Sequence, residues 1–362
     1  MHWNNHFPNA NTPRHDPEVT RAAAARTLAD MADYLRGIMR YQRSPALLRQ
    51  PYLALWQHGS TVLRVISHPA PGKPALLLVP SLINRWWMMD IHPSRSFAQF
   101  LAAQGFGVAV MDWQEPGPAE RDLNIDGYIQ KRLLPAMEAL HQTWQRPVSL
   151  VGYCMGGLMA MAASQLAPAA SLDKLVLMAT PWDFRTPESN PLSLDQGSIA
   201  LLERIIEREG CLPAAMMQPI FYRNDIWRYA RMFQALGRPP GLEDSAENAG
   251  VALAVQRWLH EAVALSAPAA RQCLVRWFAD NQPMRGEWRM VEQAITPQKV
   301  SLPTLMVCPV KDKLVPPAAG LPLLNALPQA DVLRPRLGHV GLMSSRMAPE
   351  EAWKPVAEWM SA

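Results

Sequence analysis

"LVGYCMGGLMAM", residues 150–161, decides how this chain is read. The run "VSLVGY" at 148–153 is rich in β-formers, and the Leu, Met and Ala residues after Gly157 recur at helical spacing, so a strand turns into a helix at Cys154. The nucleophile-elbow pattern G-x-S-x-G places a reactive residue in such a turn, with glycines two positions away on either side because the tight bend leaves no room for side chains. Here Gly152 and Gly156 hold those places, Gly157 follows, and cysteine stands where serine is usual. A thiol at the head of a helix meets the positive end of the helix dipole, which favours the anionic sulfur. The competing reading is a cysteine that merely packs, since cysteine is among the most often buried residue types. The glycine spacing and the strand-turn-helix context favour the nucleophile.

Working outward, short apolar runs alternate with helical stretches. "TVLRVI" at 61–66 leads to "PALLLVP" at 74–80, and a helix near 94–104 precedes "GVAVMDW" at 107–113. A helix around 126–144 leads into the elbow strand, and the helix 156–166 precedes "DKLVLMAT" at 173–180. Continuous Val/Leu runs separated by helices are what a parallel sheet covered on both faces requires, so the fold class is doubly wound α/β. At "PWDFRTPESNPLS", 181–193, the rhythm breaks, and strands return only with "PTLMVCPV" at 303–310 and "ADVLRP" at 330–335, before a closing helix near 348–361. The expected organisation is therefore a core made of 17–181 and 301–362, a largely helical cap insertion at 182–300, and a flexible polar arm at 1–16. From Pro17 the chain reads as an amphipathic helix with Leu28, Met31, Leu35 and Met39 on one side, expected to pack on its own domain.

Composition narrows the function. With 49% hydrophobic and 18% charged residues over 362 positions, the chain can bury a sizeable core and is not a disordered protein. A formal net charge of +4 without a Lys/Arg block argues against nucleic acid as a partner and leaves room for an anionic small molecule. The first residues lack the pattern of a signal peptide, and no apolar run approaches the ~18 residues of a spanning helix. Cys154, Cys211, Cys273 and Cys308 are widely spaced with no C-x-x-C, which argues against a zinc site or disulfide framework and fits a cytoplasmic protein.

A cysteine nucleophile needs a histidine, and the histidine an orienting acid. In the chain order of hydrolases with this elbow, the acid follows a late strand and the histidine the last one. Asp312 in "CPVKDKLVPP" and His339 in "RLGHVGLM" stand at those places. Of the other histidines, His2, His6 and His15 lie in the arm, His58 and His68 flank the first strand, and His141 and His260 fall in helical stretches. His92, in "DIHPSRS", is near enough to the active face to support the site from behind. Asp183 and Asp112 are weaker candidates for the acid, and Asp112 reads better as a structural carboxylate at a strand end. For an oxyanion, the backbone N–H of Met155 follows the nucleophile directly, and the second donor is expected from Ile83 in the loop "SLINRWW". Arg85 in that loop either meets a phosphate or carboxylate or is solvated.

Three stretches together resemble the polyhydroxyalkanoate (PHA) synthases, a family of the α/β-hydrolase superfamily. They are "PSLINRWWMMDIHPSRS" at 80–96, with Ile83, Asn84, Arg85, Trp86, Trp87 and Asp90; "VAVMDWQEPGPAERDLNIDGYI" at 108–129, with Asp112, Trp113, Asp126 and Tyr128; and "GYCMGG" at 152–157. The resemblance implies an α/β-hydrolase fold in which Cys154 carries the growing acyl chain. It implies that His339 deprotonates Cys154, and that Asp312 orients the histidine or helps activate the substrate 3-hydroxyl. Asn84, Arg85 and Trp86 become candidate substrate-binding residues. Hydroxyacyl-CoA and the growing polyester are the implied partners, with a homodimer or an accessory synthase subunit beside them and polymer granules as the place of action. No metal or redox cofactor is implied, the CoA thioester being substrate. Two other readings stay open: a cysteine hydrolase, since dienelactone hydrolases share the G-Y-C-x-G-G elbow, and a non-catalytic granule-binding protein that keeps the fold.

Overall fold

A computed structural model describes residues 17–45, 49–186, 196–216, 227–238 and 246–362; the arm expected at 1–16 lies outside them. The main sheet has eight strands: β1 (Leu53–His58), β2 (Thr61–Ser67), β3 (Ala75–Val79), β4 (Gly107–Asp112), β5 (Val148–Tyr153), β6 (Leu172–Met178), β7 (Thr304–Val307) and β8 (Ala330–Leu333). They lie in the order β1-β2-β4-β3-β5-β6-β7-β8, with β2 antiparallel to β1 and β4 and all the others parallel. This is the α/β-hydrolase fold.

The register explains why the sheet builds a site at one edge. Gly152 pairs with Val79 and with Leu177, Met178 with Val307, and Val307 with Leu333. The carboxyl ends of β3, β5, β6, β7 and β8 are thus level, and the loops leaving them share one rim. That rim is where ligands bind in open α/β sheets. Alternation along the strands divides the core between the two faces: Leu77, Val79 and Leu150 join one buried cluster, Leu76, Leu78 and Val151 the other. Helix Met155–Leu166 is buried from Met155 through Ala163, which its unbroken small and apolar sequence permits.

Strand β1 carries no apolar alternation and was not evident in the sequence, because it is an edge strand whose residues are exposed or half-buried. The helix read at 126–144 is Ile125–Tyr128, a π-turn at Ile129–Leu133 and Leu134–Trp144. Asn124 caps its start, the side-chain oxygen accepting from Gly127 N–H at 2.8 Å. Inside this helix Arg132 meets Glu120: Nε and Nη2 donate to Oε1 at 3.0 and 2.8 Å, with both side chains almost wholly out of solvent. Ser60 N–H and Gly117 N–H also donate to the carboxylate, and Arg132 Nη2 donates to the carbonyl of Ala119, so both charges are well bonded.

Helix Pro17–Arg43 and helix Trp227–Gly237 form a second, small unit. The rings of Tyr34 and Tyr41 meet Phe233 edge-on, and a β-carbon on Gly37 would lie 1.9 Å from the Phe233 carbonyl oxygen, so only glycine allows this approach. The sequence had assigned this first helix to the core and expected its apolar stripe to be packed. Instead Leu28, Met31, Leu35 and Met39 are 68%, 57%, 53% and 43% exposed, because the Tyr34–Gly37–Tyr41 face makes the helix pairing.

Candidate active site

Cys154 stands between β5 and helix Met155–Leu166 with φ 57° and ψ −126°, a backbone region that a non-glycine residue adopts only at a cost of about 1–3 kcal/mol. Its N–H donates to the Met178 carbonyl at 2.9 Å and its carbonyl accepts from Gly157 N–H at 2.9 Å, which hold the turn from both sides. The flanking glycines are required by contact. A β-carbon on Gly152 would come within 2.5 Å of Gly157 Cα, one on Gly156 within 2.0 Å of the Val79 carbonyl oxygen, and one on Gly157 within 1.9 Å of Thr180 Oγ1. The helix end therefore seats directly on β3 and on the segment after β6, leaving the Cys154 side chain half-buried at the rim.

Asp312 and His339 come from the loops after β7 and β8. Those loops run side by side, with Val310 N–H donating to Pro335 C=O and Lys311 N–H to Leu337 C=O, each at 2.9 Å. His339 Nδ1 lies 2.7 Å from Asp312 Oδ2, and both side chains are buried. The other carboxylate oxygen accepts from Leu314 and Val315 N–H, each at 2.8 Å, so the acid is fixed in position. The Tyr153 ring lies 5.0 Å from the imidazole and its hydroxyl donates to the His339 carbonyl at 3.1 Å. With Nδ1 taken by the carboxylate, Nε2 is the nitrogen left for the Cys154 sulfur. Burial pulls the imidazole pKa down, but the charges of Asp312 and Cys154 and the hydrogen bonds to both outweigh it and push it up to about 10. The group holds its proton beside the sulfur.

This proton affinity links to stability. An unfolded histidine titrates near ~6.5, so the stabilisation from His339 is complete below that pH. It fades as pH rises through the folded value of about 10. The denaturation midpoint of the wild type is expected to fall between about pH 6.5 and the folded value, and to fall less in His339→Gln. Parallel declines in the two proteins would remove His339 as the source.

Met155 opens the helix after the nucleophile, where first-turn N–H groups have no partner within the helix. Ile83 is buried in the loop after β3, its carbonyl accepting from Val263 N–H at 3.0 Å. Asn84 follows, half-buried. Arg85 is not a free anion receptor: Nη2 lies 3.2 Å from Glu115 Oε1, and its carbonyl accepts from the Trp258 indole at 2.8 Å. Trp86, expected at the substrate, is instead buried in the core with its ring edge-on to Tyr52, since the segment Trp86–Met89 turns inward as a 3-10 helix. His92 lies 2.9 Å from Ser94 Oγ, and a β-carbon on Gly250 would come within 2.9 Å of its Nε2, so it supports helix Ala246–His260. Asp112 pairs with Arg64 at 2.7 Å as a structural carboxylate, and Asp183 accepts from Asn281 and the Arg185 N–H. Sequence reasoning missed the contact of Tyr153 with His339, which joins residues 186 positions apart. Among the described residues no group of three or more His, Cys, Asp and Glu is placed to hold a metal ion, and no helix is long and apolar enough to cross a membrane.

Residues 74–345 match the family model described as alpha/beta hydrolase fold. The chain is 26% identical over 307 residues to the poly(3-hydroxyalkanoate) polymerase subunit PhaC of Haloferax mediterranei, an alignment covering 79% of this chain and 58% of that one. It is 27% identical over 323 residues to the protein of the same name from Allochromatium vinosum, covering 86% and 88%. Of solved structures, Paleococcus ferrophilus monoacylglycerol lipase superposes with a TM-score of 0.51 at 15% identity, over 83% of this chain and 98% of that chain, a likeness of fold alone. The chain belongs to the α/β-hydrolase fold family, and its sequence is similar to those of poly(3-hydroxyalkanoate) polymerase subunits.

Proposed function

We propose that this protein polymerises hydroxyacyl-CoA into polyhydroxyalkanoate through an acyl-cysteine on Cys154, with Asp312 and His339 completing the site. The observation that carries the reading is the buried His339–Asp312 pair, Nδ1 to Oδ2 at 2.7 Å, on the same rim of the sheet where the elbow holds Cys154. The sulfur anion attacks the thioester carbonyl, and the charge on the oxygen is met by the Met155 N–H, with Ile83 as the second donor. As the carbonyl re-forms, the C–S bond to CoA breaks and the His339 imidazolium gives its proton to the departing thiolate. The neutral imidazole then takes the proton of an incoming hydroxyl, which attacks the acyl-cysteine. An ester bond forms, the Cys154–acyl bond breaks, and the sulfur anion and imidazolium are restored. These steps use only the chain's own side chains and backbone N–H groups together with the substrate.

Residues 246–300, the later part of the expected insertion, serve in this reading as the cap that decides whether water or a hydroxyl reaches the acyl group. The relatives are named as subunits, which supports a second protein acting with this chain, either another copy or an accessory subunit, at the surface of the polymer. The test is to incubate purified protein with (R)-3-hydroxybutyryl-CoA, follow thiol release and analyse the acyl product. Polymer is the expected result. Free hydroxy acid as the sole product would make the protein a thioesterase, and no CoA release would leave a binding protein.

A further inference from the structure

The loop after β3, which carries Ile83, begins against the elbow. A β-carbon on Gly156, two residues past the nucleophile, would lie 2.0 Å from the Val79 carbonyl oxygen and 2.6 Å from that of Pro80. Trp113 Nε1 donates to the same Pro80 carbonyl at 3.1 Å and ties this point to the end of β4. Three residues further on, the loop is held by a distant part of the chain. The Ile83 carbonyl accepts from Val263 N–H at 3.0 Å, and the Arg85 carbonyl accepts from Trp258 Nε1 at 2.8 Å. Glu115 joins the two sides, with Oε1 3.2 Å from Arg85 Nη2 and Oε2 accepting from Ala264 N–H at 3.1 Å.

The stretch from Trp258 to Ala264 thus grips the loop at alternate peptides, the one after Ile83 and the one after Arg85. A peptide unit is planar, so holding its carbonyl fixes the whole unit. The Ile83 N–H belongs to the preceding unit, hinged to a fixed one at a single Cα. Among the described residues this N–H has no acceptor, while the Ile83 and Arg85 carbonyls are both taken. Trp258 is itself buried, in the cluster that holds Trp86 and Trp87, so packing keeps its indole in place. A donor set for an oxyanion needs such support, because a small displacement removes much of its effect.

We propose that Trp258 is a positioning residue for acyl transfer: its indole N–H, together with the Val263 N–H, holds the loop so that the Ile83 N–H stays available to the oxyanion. The proposal rests on the acyl-transfer reading, and two reactions of Cys154 test it apart from CoA. Acetylation by p-nitrophenyl acetate passes through an oxyanion as the C–S bond forms and p-nitrophenolate leaves. Alkylation by iodoacetamide displaces iodide from a saturated carbon and forms none. Both products are located at Cys154 by peptide mass. Trp258→Phe keeps a ring and removes the N–H; acetylation is expected to slow at least about tenfold while alkylation stays within about twofold of the wild type. With (R)-3-hydroxybutyryl-CoA the same variant is expected to lose about tenfold in kcat, with KM changed less than about threefold. Should Trp258→Phe fail to fold, Glu115→Ala, at a half-exposed side chain, decides: acetylation at least about threefold slower, with alkylation unchanged. Acetylation at the wild-type rate in a folded Trp258→Phe protein would overturn the proposal. So would an equal slowing of both reactions, which marks a general disturbance of the elbow. A wild type that is acetylated, and slowed by the variant, yet releases no CoA keeps the positioning role and sinks the acyl-transfer reading. A wild type that takes no acetyl group at all sinks both.

Discussion

Cys154→Ala is expected to give a folded protein that forms no acyl-enzyme and releases CoA from (R)-3-hydroxybutyryl-CoA at least about 10⁴-fold more slowly than the wild type. The size of the loss follows from the division of labour at the elbow. The Met155 N–H, Asp312 and His339 all remain, but each acts on a bond that the sulfur must first make. Folding is preserved because the turn is held by backbone bonds from Cys154 to Met178 and Gly157 and by the glycine contacts, none of which involves the sulfur. Mass spectrometry of the intact protein after brief exposure to substrate is the measurement. An acylated, active Cys154→Ala protein would dispose of the mechanism.

Glu120→Leu should be the most damaging substitution for stability outside the site, at about 3–5 kcal/mol, because it strands the Arg132 guanidinium in the interior. Arg132 is 2% exposed and Glu120 fully buried, so no water reaches either charge to compensate. Denaturant midpoints with constant slope would measure it. The double variant Glu120→Leu with Arg132→Met should recover most of the loss, since removing both charges leaves no buried ion uncompensated. A double variant as unstable as the single one would show that packing, and not the stranded charge, sets the cost.

The elbow was legible because its chemistry is local: three glycines, a strand and a helix lie within a dozen residues, and each glycine proves to face a backbone or side-chain atom that a β-carbon would strike. Asp312 and His339 were legible through chain order, which the level carboxyl ends of β5, β7 and β8 convert into proximity. What escaped was non-local or without periodicity. Edge strand β1 has no buried face to mark it. Trp86 read as a substrate residue because an aromatic in a loop has the same one-dimensional signature whether it turns inward or outward, and only its packing against Tyr52 separates the two. The stripe from Leu28 to Met39 announced an amphipathic helix correctly, yet the face that pairs with Phe233 is built from tyrosines and a glycine that apolar periodicity ignores. The bonds from Asp126 to Gln272 and Trp288 join residues whose sequence neighbourhoods say nothing of each other.

The placement of β7 and β8 beside β6 has a consequence for biosynthesis. A ribosome that has translated the first six strands has made the thiol and the bend that presents it, but neither the imidazole nor the carboxylate, which are encoded beyond the whole intervening segment. Nascent chains of that length carry an unassisted sulfur. On the proposed mechanism, chemical competence arrives late in translation, when the last two strands add to the sheet, and chains that stop short of them are expected to acylate far more slowly.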